Sequence, residues 1–313
     1  TGEGSHSADL IIEAIFEDLE AKQTLFREME SRARPDALLA SNTSSIPLKQ
    51  IASCLTAPSR LIGLHFFNPV ALMPLVEVVH TPTTLHAAVD AGTAFVRQIG
   101  KLPLPCRGLP GFLVNRILAP YMDEALRLRA EGLTPEAIDR AAVDFGMPVG
   151  PLELADSVGL DILVHVADIV GETIHRDMPP GLPELVAAGK LGRKVGQGFY
   201  KWDQDKPLKD KKASTEYPPE AQDRLMLSLI NEAVACVAGG VVADADLADA
   251  GTIFGSGFAP FRGGPIQYSR QEGFPKMIEK LERLQQAHGD RFKPAAGWAK
   301  LDTKEMPGEN AEA

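Results

Sequence analysis

The chain is poor in cysteine, in net positive charge and in long apolar runs, and each shortage removes a class of function. Three cysteines in 313 residues, Cys54, Cys106 and Cys236, are too few and too far apart for a disulfide scaffold or a zinc site. Their scarcity points to a reducing compartment, taken as the cytoplasm. A net charge of −10 argues against broad nucleic-acid binding, which needs a basic surface to displace counterions. The most apolar stretch, residues 225–242, is broken by Asn231, Glu232 and two glycines, so no membrane span is expected. A dinucleotide glycine loop is lacking too. The GxG near the terminus, at Gly2 and Gly4, has no strand before it and Ser7 where the third glycine should stand. The first residue is Thr1 rather than Met, which is read here as a start downstream of the native beginning.

What is present divides into two patterns. Residues 8–15, ADLIIEAI, form a continuous apolar run expected to be a strand buried on both faces. EDLEAKQTLFREMESR then has helical spacing, with acids in its first turn. ALLASN, the helical PLKQIASCL, LIGLHFF and LVEVV follow. Strands alternating with helices imply a parallel sheet of the doubly wound kind. From Gly111 onward the spacing is helical. LTPEAIDRAAVDFG carries a cap at Thr134, Pro135 at the first helical position and Gly146 after the last turn. The charged, proline-rich stretch 203–220 reads as a linker.

The helical part contains two copies of one unit. Arg116, Glu124-Ala125 and Gly132 recur at Arg224, Glu232-Ala233 and Gly240, each 108 positions on, and Phe145-Gly146 is matched to Phe254-Gly255 at 109. The expected fold is therefore an α/β Rossmann-type domain, incomplete at its N-terminus, followed by two repeated all-α domains. The boundaries are 1–108 for the first, 109–203 for the first helical domain, 204–219 for the linker and 220–313 for the second copy.

In parallel α/β sheets, ligands collect beyond the carboxyl ends of the strands. Three such ends carry compact polar groups: Glu17, SNTSS at 41–45, and HFFNP at 65–69. His65 and Glu77 stand at apolar points on successive strands, and burying either alone is costly. A carboxylate on one ring nitrogen would fix the tautomer and leave the other nitrogen free to take a proton. The competing account is a structural histidine bonded to a backbone carbonyl. For SNTSS the competing account is a cap on the helix starting at Pro47. For Asn115, in GFLVNR, it is an ordinary capping amide.

EAIFEDLEAK, ASNTSSIP, GLHFFNPVALMPLVEVV, PGFLVNRIL, GPLELADSVGLD, KVGQGFY and GFAPFRGGP together resemble the 3-hydroxyacyl-CoA dehydrogenase family. The second helical copy resembles, more narrowly, the dehydrogenase portion of multifunctional fatty acid oxidation α-subunits. The resemblance implies NAD as cofactor, an acyl-CoA substrate, and His65 as general base oriented by Glu77. It implies that Ser44 and Asn115 hold the substrate oxygen and the nicotinamide end, and that Ile15, Phe16, Glu17, Lys22, Ser44 and Asn68 line the NAD site. Tyr268 is a further substrate contact on the same grounds. A thiolase subunit and a second copy of the chain are the partners it implies. The family's first βαβ unit and an N-terminal hydratase domain are expected before Thr1. A rival from another class is a non-catalytic acyl-CoA-binding or assembly module, and a free-acid β-hydroxyacid dehydrogenase is a rival from a neighbouring one.

Overall fold

Four residues of the first apolar run form β1 (Leu10–Glu13), at the edge of the sheet rather than inside it. Its outer side has no neighbouring strand among the described residues, which leaves Ile12 half-exposed instead of buried on both faces. The chain turns into α1 (Leu19–Arg32), whose first turn is closed by Asp18 accepting from the Ala21 N–H at 2.8 Å. Then follow β2 (Leu38–Ser41), α2 (Leu48–Ala52), β3 (Leu61–Phe66), β4 (Leu75–His80), α3 (His86–Gln98) and β5 (Leu102–Arg107). This computed structural model describes residues 4–302, so the GxG at Gly2 lies partly outside the described residues.

The strands run in the order β1-β2-β3-β4-β5. β1, β2 and β3 are parallel, as the alternation of strands and helices implies. β4 is antiparallel to β3, and β5 is parallel to β4. The reversal has a simple cause. Residues 67–74 join β3 to β4 without a helix, and a parallel return needs a crossover. The core on one face of the sheet is built from Leu38, Ala40, Ile62, Leu64, Val76 and Val78 against Ala88 and Val96 of α3. Each large aliphatic side chain buried there contributes about 1.5–3 kcal/mol.

β5 reads LPLPCR, and its two prolines hide it from a propensity reading. It is tolerated because it is an edge strand. Leu102 donates to the Pro74 carbonyl at 2.8 Å, so Leu102, Leu104 and Cys106 turn their N–H groups to β4 while Pro103 and Pro105 face away.

The chain divides into two compact units. Among the described residues, the first holds 4–114, Val241–Ala243 and Phe254–Ser256; the second holds Asn115–Gly240, Asp244–Ile253 and 257–302. The second is helical: α4 (Val114–Ala130), α5 (Pro135–Phe145), α6 (Pro151–Val158), α7 (Leu160–Ile174) and α8 (Leu182–Ala187) come first. A two-stranded ribbon, β6 (Lys201–Asp203) with β7 (Lys206–Leu208), interrupts the stretch read as a linker. Then come α9 (Pro219–Ala238), α10 (Ala245–Ser256), α11 (Pro265–Glu272), α12 (Phe274–His288) and α13 (Trp298–Asp302). No helix among the described residues is long and apolar enough to cross a membrane.

The internal repeat is visible in the hydrogen bonding. Thr134 caps α5 through the Ala137 N–H, and Asp244 caps α10 through the Leu247 N–H. Asp139 on α5 accepts from the Leu152 and Glu153 N–H groups at the start of α6. Asp249 on α10 does the same for Ile266 and Gln267 at the start of α11. Gly150 and Gly264 precede these helices because a Cβ there would lie 2.2 Å and 2.4 Å from the respective aspartate. One matched pair shifts: Gly146 caps α5, but Phe254-Gly255 lie inside α10, which ends at Gly257. The helix ends, not the Phe-Gly letters, carry the register.

Candidate active site

Antiparallel pairing of β3 with β4 sets His65 directly opposite Glu77. Their side chains meet, His65 Nδ1 lying 2.6 Å from Glu77 Oε2. Both are buried, at 6% and 0% exposure. The other carboxylate oxygen of Glu77 accepts from the backbone N–H groups of Leu113 and Val114, at 2.9 Å and 3.0 Å. Val114 opens α4, so these N–H groups belong to a helix start, where they lack partners within the helix and favour an anion. Gly111 and Phe112, both at positive φ, make the turn that leads into them.

Glu77 thus accepts three hydrogen bonds and has no donor role to fill, which is the pattern of an ionised carboxylate. The proton on the shared bond is then assigned to His65 Nδ1, leaving the Nε2 lone pair free to accept. Among the described residues Nε2 has no hydrogen-bond partner. The rings of Phe67 and Phe112 stand edge-on to the imidazole, with centroids 4.6 Å and 5.5 Å away, and shield it from water. Mutual compensation accounts for two ionisable groups at apolar points.

A second cluster lies at the carboxyl ends of β1 and β2. Glu17 Oε1 accepts from the Thr43 hydroxyl, the Ser45 hydroxyl at 2.8 Å, and the N–H groups of Ser44 and Ser45 at 3.1 Å and 3.0 Å. Burial alone would raise its pKa, but the Thr43 and Ser45 hydroxyls and the Lys22 ammonium outweigh it and push the carboxyl down to about 2. The SNTSS turn therefore wraps a carboxylate; it does not cap α2, which has no side-chain cap. Lys22 is 1% exposed and donates to Glu13 Oε1 at 2.7 Å and to the Ile15 carbonyl at 3.3 Å, with Glu17 Oε2 at 3.2 Å. Its three protons are fully engaged, so it shapes the turn after β1. Glu13 also accepts from the Ile15 N–H and from the Ser41 hydroxyl, both at 2.7 Å.

The structure thus gathers Ile15, Glu17, Lys22 and Ser44 into one network, and His65 with Glu77 into another. Asn42 ties the strand ends together, its side-chain oxygen accepting from the Phe66 N–H at 2.9 Å. Ile15 and Phe16 are exposed just beyond β1, Phe16 at 72%, and Asn68 is exposed beyond β3. Asn115 and Tyr268 belong to the second unit. Asn115 is half-buried on the first turn of α4. Tyr268, on α11, packs edge-on against Phe145 at 5.2 Å beneath the Arg262 guanidinium.

Asn42 and Thr43 lie in the SNTSS stretch singled out by sequence, but their partners Phe66 and Glu17 do not show in the letters. Glu13 and the N–H pair of Leu113 and Val114 escape a reading of the letters, Glu13 leaving a trace only as an acid inside an apolar strand run.

Residues 2–108 match the family described as 3-hydroxyacyl-CoA dehydrogenase, NAD binding domain, and residues 111–202 match 3-hydroxyacyl-CoA dehydrogenase, C-terminal domain. A fatty acid oxidation complex subunit alpha from Shewanella amazonensis is 40% identical over 308 residues, covering 94% of this chain and 44% of that protein. The chain thus spans less than half the length of the curated relatives it matches. Among solved structures, 3-hydroxybutyryl-CoA dehydrogenase from Escherichia coli K12 superposes with a TM-score of 0.82 at 28% identity, covering 94% of this chain and 81% of that one. (S)-3-hydroxybutyryl-CoA dehydrogenase from Ralstonia eutropha gives a TM-score of 0.62 at 36% identity, covering 65% and 74%.

Proposed function

The chain belongs to the 3-hydroxyacyl-CoA dehydrogenase family, and from that premise we propose that it oxidises (S)-3-hydroxyacyl-CoA to 3-oxoacyl-CoA in fatty acid β-oxidation, with NAD as cofactor. The observation that carries the proposal is the 2.6 Å bond between His65 and a Glu77 carboxylate already held by two backbone N–H groups.

The residues present suit the nicotinamide end of a dinucleotide. Exposed Ile15 and Phe16 offer an apolar face to a planar ring, and Ser44 and Asn68 offer polar groups beside it, all beyond the carboxyl ends of parallel strands. When bound, NAD supplies the acceptor for the hydride that leaves C3. The proton of the C3 hydroxyl goes to His65 Nε2 as the C–O bond becomes a carbonyl. Glu77 Oε2 keeps its hold on Nδ1–H and stabilises the imidazolium that forms. Ser44 donates to the substrate oxygen, and its backbone is held by Glu17. Glu17 and Lys22 act by fixing the turns that carry Ile15, Phe16 and Ser44. Asn115 is assigned to the substrate oxygen and Tyr268 to the acyl-CoA.

On this reading residues 1–108 contribute the cofactor domain, 109–203 the first helical domain and 220–313 its second copy, joined by 204–219. The chain works in the cytoplasm, with a thiolase subunit and a second copy of itself as partners. The test is to supply acetoacetyl-CoA and NADH to the full-length protein and follow nicotinamide absorbance in wild type, His65→Ala and Glu77→Gln. Full activity in both variants would remove the proposal.

A further inference from the structure

The loop at residues 67–74 joins the strand of His65 to the strand of Glu77, and one side chain outside it holds it. α3 ends with the Gly100 N–H donating to the Arg97 carbonyl and the Lys101 N–H to the Val96 carbonyl, both at 3.0 Å, with Gly100 at φ 75°. That is a Schellman turn, and it fixes the backbone from which Lys101 projects. The Lys101 ammonium donates to the Val70 carbonyl at 2.6 Å and to the Met73 carbonyl at 2.7 Å. Charge-assisted bonds of this length are stronger than neutral ones. Both carbonyls lie in the loop, so one cation closes it like a clasp. Inside the loop, the N–H groups of Leu72 and Met73 share the Pro69 carbonyl, at 2.9 Å and 3.0 Å.

The residues just upstream of the clasp matter to the site. Phe67 sets its ring 4.6 Å from the imidazole of His65, and Asn68 follows it. Lys101 touches neither and lies far from both in sequence, and no carboxylate pairs with it among the described residues. A lysine serving only solubility would keep its ammonium in water; this one spends two of its three protons on carbonyls that already belong to a turn.

We propose that Lys101 is a positioning residue: by pinning the Val70 and Met73 carbonyls it holds Phe67 against His65 and keeps Asn68 in place for the cofactor. The inference rests on the dehydrogenase reading above. Its consequence falls on cofactor affinity more than on the chemical step, because the His65–Glu77 bond has its own supports in β4 and α4.

The experiment compares wild type, Lys101→Met and Lys101→Arg in the full-length protein, by steady-state kinetics with NADH and by amide hydrogen exchange. K101M is expected to raise KM for NADH roughly tenfold, as loss of a charge-assisted contact pair implies, with kcat within about twofold. It should speed exchange at Leu72 and Met73 and leave the β3 and β4 amides unchanged. K101R should recover most of the KM. Unchanged exchange at Leu72 and Met73, kinetics equal to wild type, or an Arg variant as impaired as the Met variant would each overturn the inference while leaving the dehydrogenase reading intact. No turnover in wild type would overturn the dehydrogenase reading, and the inference with it. If K101M does not fold, Lys101→Gln, which keeps a neutral donor, is read by the same two measurements.

Discussion

Arg224 reaches from the second helical copy to Glu124 in the first, with Nε and Nη2 at 2.8 Å and 2.5 Å from one carboxylate oxygen, while Arg116 of the first copy reaches Glu232 of the second at 2.7 Å. The equivalent residues of the two copies are thus exchanged, each arginine serving the other copy's acid. The two pairs are not equal in strength. Glu124 is fully buried and also receives Arg291 at 2.9 Å. Burial raises its pKa, but Arg291 and Arg224 outweigh that and leave it lowered, whereas burial dominates at Glu232 and raises it. Glu124→Gln should therefore cost about 1.5–3 kcal/mol, because it weakens charge-assisted bonds to two arginines at once while Arg224 keeps Glu131 at 2.5 Å and 2.8 Å, and Glu232→Gln clearly less. Urea denaturation of the two variants measures the difference; equal losses would show that the third arginine contributes nothing.

At Glu77 the amide substitution has only one good orientation. Two backbone N–H groups point at Oε1, so a glutamine must turn its oxygen to them and its NH2 to His65 Nδ1. Nδ1 would then accept, and the ring proton would move to Nε2, where the proposed base needs a lone pair. Glu77→Gln should lower kcat by roughly a thousandfold with little change in fold, since the shape is conserved. Glu77→Ala should lose stability as well. Stopped assays paired with thermal melts separate the two effects.

Glu17 sets an acid limit. Its folded pKa, about 2, lies below the ordinary value of 4.5, so its contribution to stability is complete above 4.5 and is lost as pH falls toward 2. Melting temperature between pH 5 and pH 2 should drop less steeply in Glu17→Gln than in wild type, from a lower starting value at neutral pH. Parallel curves would argue that the SNTSS turn does not need the charge.

Asp139 and Asp249 work in the opposite sense. Burial raises each to about 6 despite the N–H groups of Leu152 and Glu153 at one and of Ile266 and Gln267 at the other. A folded pKa above the ordinary 3.8 means that the native state holds the proton more tightly. The stability this supplies is present below 3.8 and is lost as pH rises through 6. The Asp139→Asn/Asp249→Asn double variant should flatten the pH dependence of the melting temperature between pH 4 and pH 6. A slope equal to that of wild type would show both carboxyls to be ionised throughout.

What could be read from the letters was what is local. The Thr134 cap, Pro135 and Gly146 bound α5 as the sequence indicates, because a cap is satisfied within one turn. The His65–Glu77 pairing was legible because both stand out against apolar neighbours. The direction of β4 was not: it depends on a loop too short for a crossover, which alternation alone does not reveal. β5 was hidden because proline is excluded only from strands with neighbours on both sides. The wrapping of Glu17 by SNTSS joins groups 26 to 28 positions apart, and the exchanged Arg–Glu pairs join groups 100 or more apart. Composition at either end says nothing of such partners.

Pro103 and Pro105 have a consequence for assembly. With both ring nitrogens on the outer rim of β5, that rim cannot donate the regular ladder an incoming strand requires. The Arg107 N–H, the next donor on that side, is already taken by the Val241 carbonyl at 2.8 Å. Edge-to-edge polymerisation of the sheet is blocked at this border, so any strand joining the sheet in register must come alongside Leu10, Ile11 and Ile12.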